Sequence, residues 1–237
     1  MQTTLHKADT RGYAEHGWLS TFHSFSFANY FDQRRMGFGA LRVLNDDTIA
    51  GGKGFGTHPH DNMEIITIPL EGELAHADSM GTKEVIHAGE VQVMSAGMGV
   101  EHSEFNNSAD APVKLLQIWI LPNQENVAPR YDQQALQVED RHNKLQQIIS
   151  PDQNGKGLWI HQNAWLHLGN FDVGQSTPYA LHATENGAYI FVISGSIQVG
   201  DQVLAARDGY GVWDVDAVSI TALTQTEFLV IEVLMAI

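Results

Sequence analysis

An all-β fold in two similar domains is predicted from three observations. Short runs rich in β-branched and aromatic residues recur between Gly, Asn and Asp punctuation, long 3.6-periodic segments are missing, and an apolar strand closing on a turn glycine occurs twice. A chain of 237 residues is long enough for one large or two ordinary domains, each with a substantial core.

The strands are predicted in order. Glu64 to Leu70 sets isoleucines and a threonine ahead of Gly72, Val91 to Met94 places two valines around Gln92, and Lys114 to Leu121 is strongly apolar. Gln133 to Leu145 is polar with poor helical periodicity, which predicts a linker holding a short helix. Tyr189 to Ile193 and Phe228 to Leu234 are again β-branched and aromatic. The repeat lies in Ile65 to Gly72 (IITIPLEG) and Ala188 to Gly195 (AYIFVISG), with a looser echo of Ala88 to Val93 in Arg207 to Val212. A boundary near Pro122 to Pro129 follows, giving an N-terminal domain over 1–125 and a C-terminal domain over 126–237.

Composition excludes several function classes. Without cysteine there is no disulfide, thiolate ligand or cysteine nucleophile, and a reducing cytoplasm is the expected setting. The N-terminal residues lack the apolar run of a signal peptide, and no stretch is long enough to span a bilayer, so a soluble protein is expected. A net charge of −15, from 13 basic and 28 acidic side chains, repels a phosphate backbone, so direct nucleic-acid binding is not expected.

Two pairs with one residue between partners carry the chemistry, His58-Pro59-His60 and His102-Ser103-Glu104. Spacing of two puts both members on one face of a strand. If the two strands lie side by side, three imidazoles and a carboxylate converge, a nitrogen and oxygen donor set suited to a divalent transition metal. Counting back from Gly195 as His58 and His60 count back from Gly72 lands on Leu181 and Ala183. The counterpart of His102 and Glu104 falls in Ile220 to Thr224, so the second copy is predicted to hold no metal, with His182 a structural or surface residue. His76 and His87 read as ordinary polar strand or loop residues. His6, His16, His23, His142, His161 and His167 carry no spacing signal. Phe25 and Phe27 alternate as a buried strand face would, and Phe38, Met63 and Met98 read as core volume.

The framing of these residues adds a resemblance. Gly52, His58, His60, Glu64 and Gly72, followed by Gly89, Gly97, His102 and Asn106, resemble the two motifs of the cupin superfamily. Glycines of this kind serve tight turns and bulges, and Pro59 holds His58 extended. The spacings from Glu64 to Gly72 and from Gly97 to His102 depart from the general cupin pattern and point to a subfamily. Thr57 to Glu64 (THPHDNME), Leu70-Glu71-Gly72, Asp78 to Gly81, Gln92 to Glu104 (QVMSAGMGVEHSE) and His23 to Tyr30 (HSFSFANY) are similar to the pirin family, in particular to bacterial pirin-like bicupins. The similarity covers nearly the whole chain and is strongest through residue 121.

That resemblance implies a bicupin, two tandem double-stranded β-helix barrels of jelly-roll type with metal in the first. Its ligands match His58, His60, His102 and Glu104. In many other cupins the carboxylate ligand matches Glu64, so both glutamates are candidates; the pirin match favours Glu104 and leaves Glu64 as an orienting or barrel-lining residue. The implied activity is that of a quercetin 2,3-dioxygenase, opening a flavonol-like substrate with dioxygen and releasing carbon monoxide, with Glu104 as general base. Fe(II) stands first among the implied metals, with Zn, Cu, Mn, Ni and Co as alternatives. Pirins also include metal-bound regulators that contact a transcription factor or a metabolic enzyme, so a protein partner is the competing expectation. A metal-dependent isomerase or hydrolase of small polar substrates is a third. An open coordination shell favours an enzyme, and a closed one without a cavity favours the regulator.

Overall fold

β-branched and aromatic runs punctuated by left-handed glycines leave the chain little alternative to strands, and the computed structural model, which describes residues 1–236, contains 22 of them. In chain order they begin with β1 (Gln2–His6), β2 (Gly12–Glu15), β3 (Leu19–His23), β4 (Leu41–Ile49), β5 (Gly54–His60) and β6 (Glu64–Glu71). Next come β7 (Glu73–Asp78), β8 (Lys83–His87), β9 (Glu90–Ser95), β10 (Val100–Asn106), β11 (Val113–Ile120) and β12 (Arg130–Ala135). The second half continues with β13 (Leu145–Ser150), β14 (Leu158–Trp159), β15 (Trp165–Phe171), β16 (Ser176–Ala180) and β17 (Asn186–Ser194). It closes with β18 (Ser196–Val199), β19 (Gln202–Ala205), β20 (Gly209–Trp213), β21 (Ala217–Ala222) and β22 (Thr226–Leu234). Among the described residues, helix is confined to two single 3-10 turns, Ala8–Thr10 and Val138–Asp140, and no helix is long and apolar enough to cross a membrane.

Four sheets form two barrels. The first pairs a seven-stranded sheet, ordered β12-β9-β6-β11-β4-β3-β2, with a four-stranded sheet ordered β5-β10-β7-β8. The second pairs β1-β20-β17-β22-β15-β13-β14 with β16-β21-β18-β19. The order β9-β6-β11-β4 in one barrel corresponds to β20-β17-β22-β15 in the other, so the repeat seen in sequence is a repeat in space. IITIPLEG and AYIFVISG are the central strands β6 and β17, and each ends on a left-handed glycine, Gly72 at φ 77° and Gly195 at φ 76°.

Two strands cross the division drawn after residue 125. β12 pairs with β9 along Arg130 to Ala135 at the edge of the first barrel, and β1 pairs with β20 along Gln2 to His6 at the equivalent edge of the second. Each end strand covers an edge of the other barrel, which removes an exposed pairing surface. The same pairing corrects the expectation for Gln133 to Leu145: its start is strand, and only Val138–Asp140 turns helically. The ladder with β9 outweighs the polar side chains, as tertiary pairing commonly does for strand propensity.

Alternation along the central strands divides the core. Ile66 and Ile68 of β6, with Tyr189, Phe191 and Ile193 of β17, face one another's sheets and form the apolar layer between the barrels. Each such fully buried side chain contributes about 1.5–3 kcal/mol. The alternate residues face inward. In the second barrel these are mostly apolar, including Ala188, Ile190, Val218, Ile220, Phe228 and Val230, with His167 and Glu232 as buried polar exceptions. Leu19, Ile49, Leu74, Ile86, Val113 and Leu115 form one apolar cluster of the first barrel and Ile65, Met94, Ala96 and Val100 another, and its interior also carries buried polar groups, among them Thr67, His76, His102 and Glu104.

Candidate metal centre

The polar interior can be read off the pairing register. Thr67, His76, His102, Glu104 and Gln117 of the first barrel correspond to Ile190, Val199, Val218, Ile220 and Val230 of the second, all five in its apolar filling. The fold therefore does not need polar groups at these positions, and their presence in one barrel marks a site.

β5 and β10 gather His58, His60 and His102 into one group, while Glu104 falls in a second group with His102 and His76. His58 lies opposite His102 and His60 opposite Val100; a bulge adds one residue to β5 between Phe55 and His58, and Glu104 shares the inward face of His102 by simple alternation along β10. Gly54 permits the close approach: a Cβ there would stand 2.1 Å from the Glu104 carbonyl oxygen. The ring centroids of His58, His60 and His102 lie 4.4–4.9 Å apart, and their ligand atoms fall within 4.8 Å of one another. His58 Nδ1–H donates to the Gly56 carbonyl at 2.8 Å, which leaves Nε2 with a free lone pair. Burial, with His58 adding to it, lowers the pKa of His60 to about 4, and burial with the neighbouring imidazoles lowers His102 further. Neutral rings keep their lone pairs available.

His102 gives the clearest sign of an absent partner. The residue is 2% exposed, and neither ring nitrogen has a hydrogen-bond partner in the protein. Two orphaned nitrogens on one buried ring are costly unless something else engages them. Glu104 is buried beside it, its pKa raised by desolvation, and both of its carboxylate oxygens accept from Gln117 Nε2. The donor set, imidazole nitrogen and carboxylate oxygen without sulfur, fits a divalent transition metal.

The structure also adds a residue to the site. His76, read from sequence as an ordinary polar residue, has a fully buried side chain opposite Glu104 in the β10–β7 ladder, and its ligand atom falls within 4.8 Å of those of His102 and Glu104. Its Nε2 lies 3.1 Å from Asp78 Oδ2, and its Nδ1 has no partner. Leu74, His76 and Asp78 alternate with period two, a signal that becomes meaningful once β7 is known to pair with β10. His87 is a surface residue between Glu73 and Glu90. Glu64 stands in neither histidine cluster: its carboxylate accepts from Ser95 Oγ at 2.6 Å, and burial pushes its pKa up to about 7.

A cavity of about 660 Å³ opens from the histidines. Trp18, Phe27, Phe55 and Trp119 give it aromatic walls, and β3 and β4 add Thr21, His23, Asn45 and Asp47, of which only His23 lies in a segment with a sequence signal, the pirin-like His23 to Tyr30. Its size is that of a small-molecule site. Asp47 is buried, its pKa raised to about 7 chiefly by desolvation. Phe25 is buried as expected, whereas Phe27 sits in a turn bridged to Tyr30 and faces the cavity. Phe38 is core between the barrels, while Met98 is 65% exposed.

In the second barrel, the register places Tyr179 and Leu181 where the first has His58 and His60, and Val218 and Ile220 where it has His102 and Glu104. The count to Leu181 and Ala183 is off by two because the connection from β16 to β17 is two residues longer. His182 is structural, its Nδ1 donating to Glu232 at 2.7 Å and its ring stacked on Trp165.

Comparison with known proteins identifies the family. The sequence model of the Pirin family matches residues 5–120, and that of the quercetinase C-terminal cupin domain matches residues 147–233. The chain is 43% identical over 228 residues to quercetin 2,3-dioxygenase of Escherichia coli strain K12, covering 96% of this chain and 97% of that protein. It is 39% identical over 225 residues to a pirin-like protein of Caulobacter vibrioides, covering 94% and 96% of the two chains. The crystal structure of a bacterial pirin from Escherichia coli in complex with nickel(II) superposes with a TM-score of 0.93 at 42% identity, covering 98% of this chain and 99% of that one. The chain is a bicupin and belongs to the pirin family.

Proposed function

We propose that the chain is a metal-dependent dioxygenase of the quercetin 2,3-dioxygenase type, opening a flavonol-like keto-enol substrate with dioxygen and releasing carbon monoxide. The observation that carries this reading is a buried His and Glu cluster with orphaned imidazole nitrogens opening into an aromatic-walled cavity of about 660 Å³. The name of the relatives from two Escherichia coli strains, quercetin 2,3-dioxygenase, supports the same reaction class.

His58, His60, His102 and Glu104 would hold one divalent ion, with Fe(II) first among the metals and Zn, Cu, Mn, Ni and Co as alternatives. Such an ion, when bound, supplies Lewis acidity that lowers the pKa of an enol hydroxyl and offers open positions beside its protein donors. The chain does the rest. The Gly56 carbonyl fixes the His58 tautomer, and Gln117 holds the Glu104 carboxylate in place. Burial raises the proton affinity of Glu104, which suits it to accept the enol proton. Trp18, Phe27, Phe55 and Trp119 clamp a planar ring system and exclude water. A regulator that only contacts a protein partner has no use for such a cavity, so the enzymatic reading is preferred.

The test is anaerobic reconstitution with each divalent metal, followed by measurement of oxygen uptake and carbon monoxide release on quercetin, beside His102→Ala and Glu104→Ala. Metal-dependent turnover lost in both variants is the expected result. Turnover without metal, or surviving both substitutions, overturns it.

A further inference from the structure

One buried group in the cavity wall is explained neither by the fold nor by the metal cluster. Asp47 is 5% exposed and lines the same cavity as His58 and His102, and its Oδ1 has no hydrogen-bond partner. Across the β3–β4 ladder its Cα partner is Thr21, 4% exposed, whose hydroxyl is likewise unpartnered and lines the same cavity. The adjacent polar pair is engaged, since Asn45 Oδ1 accepts from His23 Nδ1 at 2.8 Å. Asp47 and Thr21 thus have only each other, whereas their neighbours are engaged.

The second barrel shows what the fold alone would place there. Asp47 pairs with Thr21 and Leu115, and the corresponding trio is Gly169, Leu145 and Phe228. A glycine beside a leucine builds the same wall without a buried carboxyl. Buried polar groups without partners are retained where a ligand supplies the missing bond.

We propose that Asp47, with Thr21, is a specificity site that hydrogen-bonds a second hydroxyl of the substrate, apart from the keto-enol pair that faces the metal cluster. This rests on the dioxygenase reading above and narrows its substrate class to polyhydroxylated aromatic keto-enols. Aromatic walls accept any planar ring; only a hydroxyl-bearing one satisfies Asp47. A site built to bond a hydroxyl discriminates strongly against the analogue lacking it, because its own polar groups are then left unpaired.

The experiment uses metal-loaded protein without oxygen and follows binding of quercetin and of 3-hydroxyflavone, which keeps the keto-enol pair and lacks the other hydroxyls. Wild-type protein should bind quercetin more tightly by on the order of tenfold or more. Asp47→Ala should erase that preference by weakening quercetin binding without weakening that of 3-hydroxyflavone, its metal content staying at the wild-type value, and Asp47→Asn should keep part of it. Should Asp47→Ala fail to fold, Asp47→Asn and Thr21→Val carry the test, each expected to narrow the ratio. A preference unchanged in the variants, or equal loss for both compounds, overturns the assignment. Failure of wild-type protein to bind either compound overturns the dioxygenase reading itself, and is seen before any variant is made.

Discussion

Gln117 donates from Nε2 to both carboxylate oxygens of Glu104, at 3.0 Å to Oε2 and 3.3 Å to Oε1, while its own Oε1 accepts from Thr67 Oγ1 at 3.1 Å. The threonine hydroxyl thereby fixes which end of the amide faces the carboxylate. Gln117→Leu keeps roughly the same volume and strips both donors, so metal affinity should fall about 10- to 100-fold, as for other groups that orient a ligand. Competition against a chelator of known affinity measures it. Thr67→Val should cost less, because the amide keeps its bonds to Glu104. Wild-type affinity in Gln117→Leu would show that Glu104 needs no such support.

Glu64 sets a pH dependence of opposite sense to ordinary acid denaturation. Burial raises its carboxyl from 4.5 to about 7, against the pull of the Ser95 hydroxyl and of Arg130. Between those values the folded protein holds a proton that the unfolded chain has released, so stability falls as pH rises through the window and the loss is complete above it. At about 1.4 kcal/mol for each step of one in pKa, the effect is on the order of 3 kcal/mol. Urea unfolding of chelator-treated protein at pH 5 and pH 8 should show a loss of stability that is smaller by about this amount in Glu64→Gln, the remainder coming from Asp47 and Glu104, whose carboxyls are raised by burial as well. An equal loss in both proteins removes Glu64 as a source.

The metal pairs were legible because period-two spacing is a local property, and strands impose it wherever they lie. His76 was not, since its claim on the site depends on Glu104 lying opposite it across the β10–β7 ladder, a contact between distant segments. Asp47 comes from a strand whose sequence shows only polar and apolar alternation. Glu104 and Glu64 were separated in sequence by resemblance alone; in the structure a bond to Ser95 holds Glu64 apart from both histidine clusters. The repeat located β6 and β17 through their terminal glycines but missed the second barrel's register by two residues, because loop length is invisible to strand patterning. β12 was misread for the complementary reason: its polar residues become strand through a partner forty residues away.

Gly72 is a backbone requirement that the repeat shares with Gly195. Its φ of 77° is left-handed, and a Cβ there would stand 3.0 Å from the Pro112 carbonyl oxygen and 3.2 Å from Val113 Cα. Gly89 has a φ of 91° with nothing within 4 Å. Gly89→Ala should therefore cost about 1 kcal/mol for conformation alone, and Gly72→Ala about 2–3 kcal/mol through added crowding. Denaturant midpoints of the two variants decide it. Equal losses would mean that the Pro112 segment moves aside freely.

His6 ties the first strand to the second barrel and should limit stability on the acid side. It is 7% exposed, its Nδ1 lies 2.9 Å from Tyr189 Oη, and its ring meets Phe25 edge-on at 5.6 Å. Burial, with Arg35 adding to it, lowers its pKa from 6.5 to about 4. Between those values the unfolded chain binds a proton that the folded protein does not, so stability is lost as pH falls from 6.5 towards 4. The window opposes that of Glu64, and the two together place maximum stability inside it. His6→Leu should reduce the acid-side loss by the His6 share, leaving that of His60, His102 and His167, while costing about 1–3 kcal/mol at pH 8, where the Tyr189 hydroxyl is left without its partner. Unfolding of chelator-treated protein at pH 4.5, 6.5 and 8 separates the two effects. A variant that loses as much stability as wild type below pH 6.5 would assign the acid limb to those other histidines alone.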